Sequence, residues 1–329
     1  MAIRSVIFKQ FSAFENAELG LSPGLNVFIG ENATGKTHAM KAIYALTRGV
    51  SDEQSEPSDK LVRVFRPDDD SPGRLAHRGA GHKAASVKLV DDRGGSISVS
   101  INTKSGSAKS ELKAFSPPPA VFLPSREGLA MFEGFIASYK RRELSFDETY
   151  FDLAESLSAS ALRGALPQAL KQIGSDLEKA LGGKVVLSGP RFYLRGEGGS
   201  MLEAPLVSEG LRKLGSILRL LQNGELRQTG LLLWDEPEAN LNPRLTVLVA
   251  KVLLRLAQND VQVVLATHDY LLVETLAQFT KQSCRFFAFR RTDGAASVEV
   301  SASETLDGLP FNPIRAEFLA HYDRLRGID

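Results

Sequence analysis

The segment Gly30-Glu31-Asn32-Ala33-Thr34-Gly35-Lys36-Thr37 fits the pattern G-x-x-x-x-G-K-[ST]. Its glycines permit backbone angles that aim successive N–H groups at phosphate oxygens. Gly30, Asn32 and Gly35 would form this cradle. Lys36 would reach the outer phosphates of a nucleoside triphosphate, and the Thr37 hydroxyl would ligate Mg²⁺. A second group, Leu231-Leu232-Leu233-Trp234-Asp235-Glu236-Pro237, is an apolar run ending in two acids. An apolar strand delivers its first polar residues at the carboxyl edge of a sheet, where α/β folds bind ligands. Asp235 there would hold Mg²⁺, and Glu236 would orient or deprotonate an attacking water. A third run, Val263-Val264-Leu265-Ala266-Thr267-His268-Asp269, ends the same way. It would bring His268 to the same edge, in hydrogen-bonding range of a γ-phosphate.

These residues need strands and helices to position them. Ile3–Phe8 and Leu25–Ile29 read as strands, and Lys36–Leu46 has helical periodicity. Residues 51–59, with four acids and a proline, read as an exposed loop. Residues 66–83, rich in Gly, Pro and charge, read as a mobile surface segment. Val87–Val90 and Ile97–Ile101 flank DDRGGS and predict a hairpin, and AVFLP at 120–124 predicts a buried strand. A helical stretch over 126–181, with breaks near Ser145, Gly164 and Gly174, leads to a second hairpin, KVVL and RFYL. The last third alternates helix and strand, which predicts a parallel-rich sheet covered on both faces.

Composition narrows the partners. The 329 residues carry 40 Lys+Arg against 39 Asp+Glu, so no global field draws in nucleic acid or an anionic membrane. A single cysteine, Cys284, excludes an internal disulfide and a Cys-rich zinc site and fits a reducing compartment. No apolar run approaches the roughly 18–20 residues of a membrane span. A cytoplasmic location with no membrane partner is expected. Two local basic runs, within 60–83 and at Lys140-Arg141-Arg142, keep nucleic acid open as a partner.

Taken in order, GENATGKT, VSEGLRKLGSIL, LLLWDEPEANLNP and VLATHD resemble the ABC-type ATPases of the RecF/SMC/OLD group. That group includes small AAA-type ATP-binding proteins found in anti-phage defence. The resemblance covers roughly 1–48 and 205–329. It implies an α/β P-loop head of ABC type, with a parallel-rich sheet, an antiparallel β part and a helical lobe. It also implies three segments: 1–125 with the phosphate loop, 126–204 as an inserted lobe, and 205–329 with the remaining motifs. Ser208-Glu209-Gly210 is then the signature segment, whose Ser208 and Gly210 touch ATP held by a second copy; a plain helix cap is the other use of Ser208.

The resemblance thus implies an ATPase converting ATP and water to ADP and phosphate, with ATP and Mg²⁺ as ligands. A homodimer or higher homo-oligomer would hold ATP at its interface. Expected roles are a switch or motor in nucleic-acid metabolism or anti-phage defence that controls an effector, a nuclease or toxin, on another chain. The alternative is the nucleotide-binding subunit of a membrane transporter, although the signature lacks the LSGGQ form. Departures are Ala33 at a loop position often occupied by Gly, and Asn242 where transporter ATPases usually carry Asp. Ser125, Arg126 and Glu127 are candidates for sensing the γ-phosphate. Phe11 or Phe14 could stack on adenine, with core packing as the other use of each.

Overall fold

The computed structural model describes residues 2–52, 55–78, 84–162, 164, 166–279, 283–291 and 297–326. Its centre is a six-stranded sheet in the order β14-β13-β3-β12-β11-β7: Val298–Ser303, Cys284–Arg291, Leu25–Gly30, Gln262–Thr267, Leu231–Asp235 and Ala120–Leu123. All neighbours pair in parallel except β14, which runs antiparallel to β13 at one edge. Strands β3, β11 and β12 are buried along their whole length, as expected where both faces of a parallel sheet are covered.

Alternate side chains feed two cores. Val27, Ile29, Leu232, Trp234 and Leu265 point into one core, with helices α4 (Glu148–Ser158), α5 (Gln168–Leu181), α6 (Glu209–Gln222), α7 (Pro243–Ala257) and α8 (Tyr270–Phe279). Phe28, Leu233, Val264 and Ala266 point into the other, with α1 (Lys36–Ser51) and an antiparallel sheet. That second sheet has the order β2-β1-β4-β5-β6, built from Phe14–Gly20, Ile3–Phe11, Ala85–Asp91, Ser96–Ile101 and Ala108–Lys113. Helix α1 therefore lies between two sheets. A three-stranded sheet, β10-β9-β8 (Met201–Glu203, Arg191–Gly196, Gly183–Ser188), packs against α5 and α6.

Buried amides fasten the two larger sheets together. Gln262 accepts from the Ile3 N–H at 2.8 Å and donates to the Ile3 and Ser22 carbonyls. Asn26 accepts from the Ser22 N–H and donates to the Ser22 and Val263 carbonyls. Each amide satisfies backbone groups that water cannot reach.

Three sequence expectations change. Pro57 opens a helix, α2 (Pro57–Phe65), inside the expected 51–59 loop, and it buries Leu61 and Val64; residues 53–54 lie outside the described residues. Residues 66–78 were expected to be mobile, yet they are pinned to the β1–β2 turn. Ser12 donates to the Leu75 carbonyl and His77 to the Gln10 carbonyl, each at 2.7 Å, and Leu75 is buried. Residues 79–83 lie outside the described residues. Gly174 does not break α5: it faces Leu218 of α6, where a bare Cα permits close helix contact. Among the described residues, no helix is long and apolar enough to cross a membrane.

Candidate nucleotide site

Strand register decides which residues meet. Ile29 lies level with Thr267, and Asp235 level with Ala266. Gly30, Asp235 and His268 therefore stand at the carboxyl ends of three adjacent parallel strands. Gly30 leaves β3 so close to β13 that a Cβ would sit 2.5 Å from the Phe289 carbonyl oxygen. Gly35 has φ +84°, and a Cβ there would come within 2.9 Å of Ala13 and 3.0 Å of Phe14. Ala33 also takes a left-handed φ, +61°, which costs a side-chain-bearing residue about 1–2 kcal/mol. A glycine at this position would not bear that cost.

Lys36 Nζ donates to the carbonyls of Gly30 at 2.6 Å and Glu31 at 2.7 Å, which holds it over the loop. Burial lowers its pKa; the carboxylates of Asp235, Glu236, Glu238 and Glu31 pull it back up. The Thr37 hydroxyl donates to Asp235 Oδ2 at 2.9 Å. Burial raises the Asp235 pKa, against the Thr37 hydrogen bond. A hydroxyl and a buried carboxylate side by side are hard oxygen donors of the kind Mg²⁺ takes alongside phosphates, so Thr37 and Asp235 fit that ion. Among the described residues, no cluster of three or more His, Cys, Asp or Glu forms an all-protein metal cage.

Glu236 adopts φ +47°, and its N–H donates to the Ala266 carbonyl at 2.9 Å. Its Oε1 lies 3.5 Å from His268 Nδ1, and His268 is half-exposed. A groove of about 810 Å³ joins Asn32, Gly35, Lys36, Thr37, Asp235 and Glu236. Its far wall carries Phe65, Arg74 and His77. Strain at Glu236 in such a groove is typical of a functional position.

Ser208 and Gly210 do not line this groove. They begin α6, where Ser208 stands at the N-cap position but its exposed hydroxyl makes no capping hydrogen bond. Gly210 packs against the chain after β11: a Cβ would lie 2.6 Å from the Asn240 carbonyl oxygen. Asn242 caps α7 through its side chain, accepting from the Leu245 N–H at 3.0 Å.

Of the two uses expected for Phe11 and Phe14, the structure takes core packing. Phe11 and Phe14 are fully buried, Phe14 beneath Gly35, so neither meets a base. Phe65 on the groove wall, edge-on to Phe11 at 5.5 Å, is the aromatic that the sequence reading passed over. Glu127 accepts from the Leu129 N–H at 2.7 Å and pairs with Arg212, which ties α6 to the chain after β7. Neither it nor Ser125 nor Arg126 lines the groove. The basic runs are partly paired within the chain. Lys60 pairs with Asp152 and Glu148, Arg63 with Glu148, Arg74 with Asp68 and Lys140 with Glu155.

Two residues went unnoticed in the sequence. Lys213 of α6 is buried and donates to the Glu236 carbonyl at 3.1 Å. Glu238 is buried and accepts from the Thr267 hydroxyl at 2.7 Å and from the His268 N–H. Only the spacing of Glu238 from the Asp-Glu pair hinted at it; nothing local marks Lys213.

The family model described as "AAA domain, putative AbiEii toxin, Type IV TA system" matches residues 50–274, more than half of the chain. The chain belongs to this family. It is a P-loop ATPase domain whose phosphate loop precedes the matched span. Curated relatives include the DNA replication and repair protein RecF of Cronobacter sakazakii, 31% identical over 179 residues, covering 53% of this chain and 47% of that protein. The RecF of Erwinia tasmaniensis is 33% identical over 137 residues, covering 41% and 35% respectively. The chain spans about half, or less, of the length of these relatives. In fold it is similar to an SMC head bound to the C-winged helix domain of ScpA, with TM-score 0.60 and 14% identity over 93% of this chain and 99% of that one. The SMC head domain of Thermotoga maritima matches with TM-score 0.53 and 14% identity over 93% and 100%. The AbiEii-type domain thus has the α/β architecture of an ABC-type head, with a mixed parallel sheet and antiparallel sheets.

Proposed function

We propose that this chain is an ATP-driven dimerising switch that hydrolyses ATP at a site completed by a second copy. The observation that carries this reading is the Thr37 hydroxyl 2.9 Å from Asp235 Oδ2. It joins the phosphate loop to the acid of the neighbouring motif at one sheet edge. Mg²⁺, when bound there, would offset the charge on the outer phosphates. Lys36 and the loop N–H groups bind and orient the triphosphate. Glu236 takes the proton of the attacking water, and His268 hydrogen-bonds the γ-phosphate beside it. Ser208, exposed at the start of α6, and Gly210 beside it meet the triphosphate of the other copy. The Ser208 hydroxyl makes no capping hydrogen bond, which supports that role over a plain cap.

The setting we infer is a nucleic-acid transaction or anti-phage defence, with ATP state passed to an effector on a second chain. The names of the RecF relatives and of the toxin–antitoxin family support it.

Glu236→Gln is the decisive variant. ATP binding should persist while hydrolysis falls about 10²–10⁴-fold, and light scattering should find an ATP-dependent dimer. Turnover equal to wild type would remove Glu236 as general base. Lys36→Ala should abolish nucleotide binding. For the nucleic-acid setting, DNA binding in the presence of ATP should strengthen with strand length and weaken with salt; binding with neither dependence would overturn it.

A further inference from the structure

A second groove, of about 460 Å³, opens beside the three-stranded sheet and shares no lining residue with the phosphate-loop groove. Four cations from four elements converge on it: Lys171 of α5, Lys184 of β8, Arg195 of β9 and Arg219 of α6. Its described lining contains no Asp or Glu. Lys184 and Arg195 are directly opposite each other in the β8–β9 register. Like charges placed directly opposite across strands are destabilising. Among the described residues, neither has an acidic partner within salt-bridge distance. In a chain of net charge +1, whose sequence-local basic runs are partly ion-paired, this cluster combines four cations with no acid in its described lining.

Arg219 sets the floor. It is only 7% exposed, and Nε donates to the Leu157 carbonyl at 3.0 Å and Nη2 to the Ala159 carbonyl at 2.7 Å. Its remaining nitrogen, Nη1, has no protein acceptor among the described residues. A guanidinium fixed in this way pays little entropy on meeting an anion, and its fork matches phosphate geometry. Leu162 and Val186 supply an apolar wall beside the cations.

We propose that this groove binds a nucleotide-sized phosphate ester, with the phosphate among the four cations and the base or sugar against the apolar wall. A free mononucleotide and the 5′-phosphorylated end of a nucleic-acid strand present the same chemistry.

The test measures binding of UMP, and of a ten-nucleotide thymidine strand with a 5′-phosphate or a 5′-hydroxyl. It uses the intact chain and its Lys36→Ala variant, in which the phosphate loop is disabled. Binding should survive Lys36→Ala. Lys184→Gln and Arg195→Gln should each weaken it roughly tenfold while leaving the melting temperature unchanged or raised, since the cross-strand repulsion goes. Val186→Trp, which fills the groove but keeps the cations, should also weaken binding. UMP binding supports a free nucleotide, and preference for the 5′-phosphorylated strand supports a strand end. The proposal is overturned if neither UMP nor the phosphorylated strand binds, if the Gln variants bind as wild type, or if Val186→Trp leaves binding intact.

Discussion

Lys213, buried in α6, donates from Nζ to the backbone carbonyl of Glu236 across 3.1 Å. The helix that begins with Ser208 is thereby fastened to the residue proposed as general base. Burial lowers the Lys213 pKa, and Glu238, Glu209, Glu236 and Asp235 draw it back up. The bond also helps to hold the left-handed backbone of Glu236.

Lys213→Met, close in length and without charge, should therefore disturb chemistry more than binding. Single-turnover hydrolysis should fall on the order of tenfold to a hundredfold, because a displacement of about 1 Å at a reacting group has that effect. Nucleotide affinity from titration should stay within a few-fold. Unchanged hydrolysis would show that the tether does not position Glu236.

Gly210→Ala places a methyl group 2.6 Å from the Asn240 carbonyl oxygen and 2.8 Å from Leu241 Cδ2. One of those groups is backbone and cannot yield cheaply. The expected cost is about 1–3 kcal/mol in denaturant unfolding. Wild-type stability would mean that the start of α6 shifts freely against the segment after β11.

Asp152 joins two helices to α4. It accepts from the Tyr44 hydroxyl at 2.7 Å and pairs with Lys60 at 2.6 Å, and Lys60 is 2% exposed. Asp152→Ala leaves that ammonium with Glu148 at 3.4 Å as its remaining partner. A loss of about 3–5 kcal/mol in urea unfolding is expected, since an under-compensated buried charge is costly. A loss below about 1 kcal/mol would show that Glu148 suffices.

Glu238 gives a pH signature. Burial raises its pKa above the ordinary glutamate value, and its Oε2 is buried without a hydrogen-bond partner among the described residues. The folded chain therefore holds this proton more tightly than the unfolded chain does. Its contribution to stability declines as pH rises from the ordinary carboxylate range through the raised folded value, and the penalty is complete above that. Glu238→Gln keeps an acceptor for Thr267 but cannot ionise. The melting-temperature difference, variant minus wild type, should become more positive from acid to neutral pH. A difference that is flat with pH would refute the assignment.

Much of the site was legible because its determinants are local. Gly30 to Thr37 are contiguous, so a single turn between strand and helix places glycines, lysine and hydroxyl together. The apolar runs before Asp235 and His268 could only be buried strands, and a buried strand must release its polar residues at an edge. The order β13-β3-β12-β11 then brings the three edges side by side.

Other features have no local signature. Phe11 and Phe14 look the same whether they stack on a base or fill a core; the β1–β2 turn beneath Gly35 decides for the core. The charge-rich 66–78 segment looked unattached until Leu75 and His77 met the strand pair that precedes the phosphate loop. Sequence alone determined the phosphate loop, the two acids and the alternation that builds a parallel sheet, because each depends on neighbours within a few residues. Tertiary structure alone decided that Lys60 and Arg63 are neutralised while Lys184 faces Arg195, and that Lys213 reaches Glu236. The reason is physical: the cost of burying a charge, and the partner that offsets it, exist only once distant segments have excluded water together.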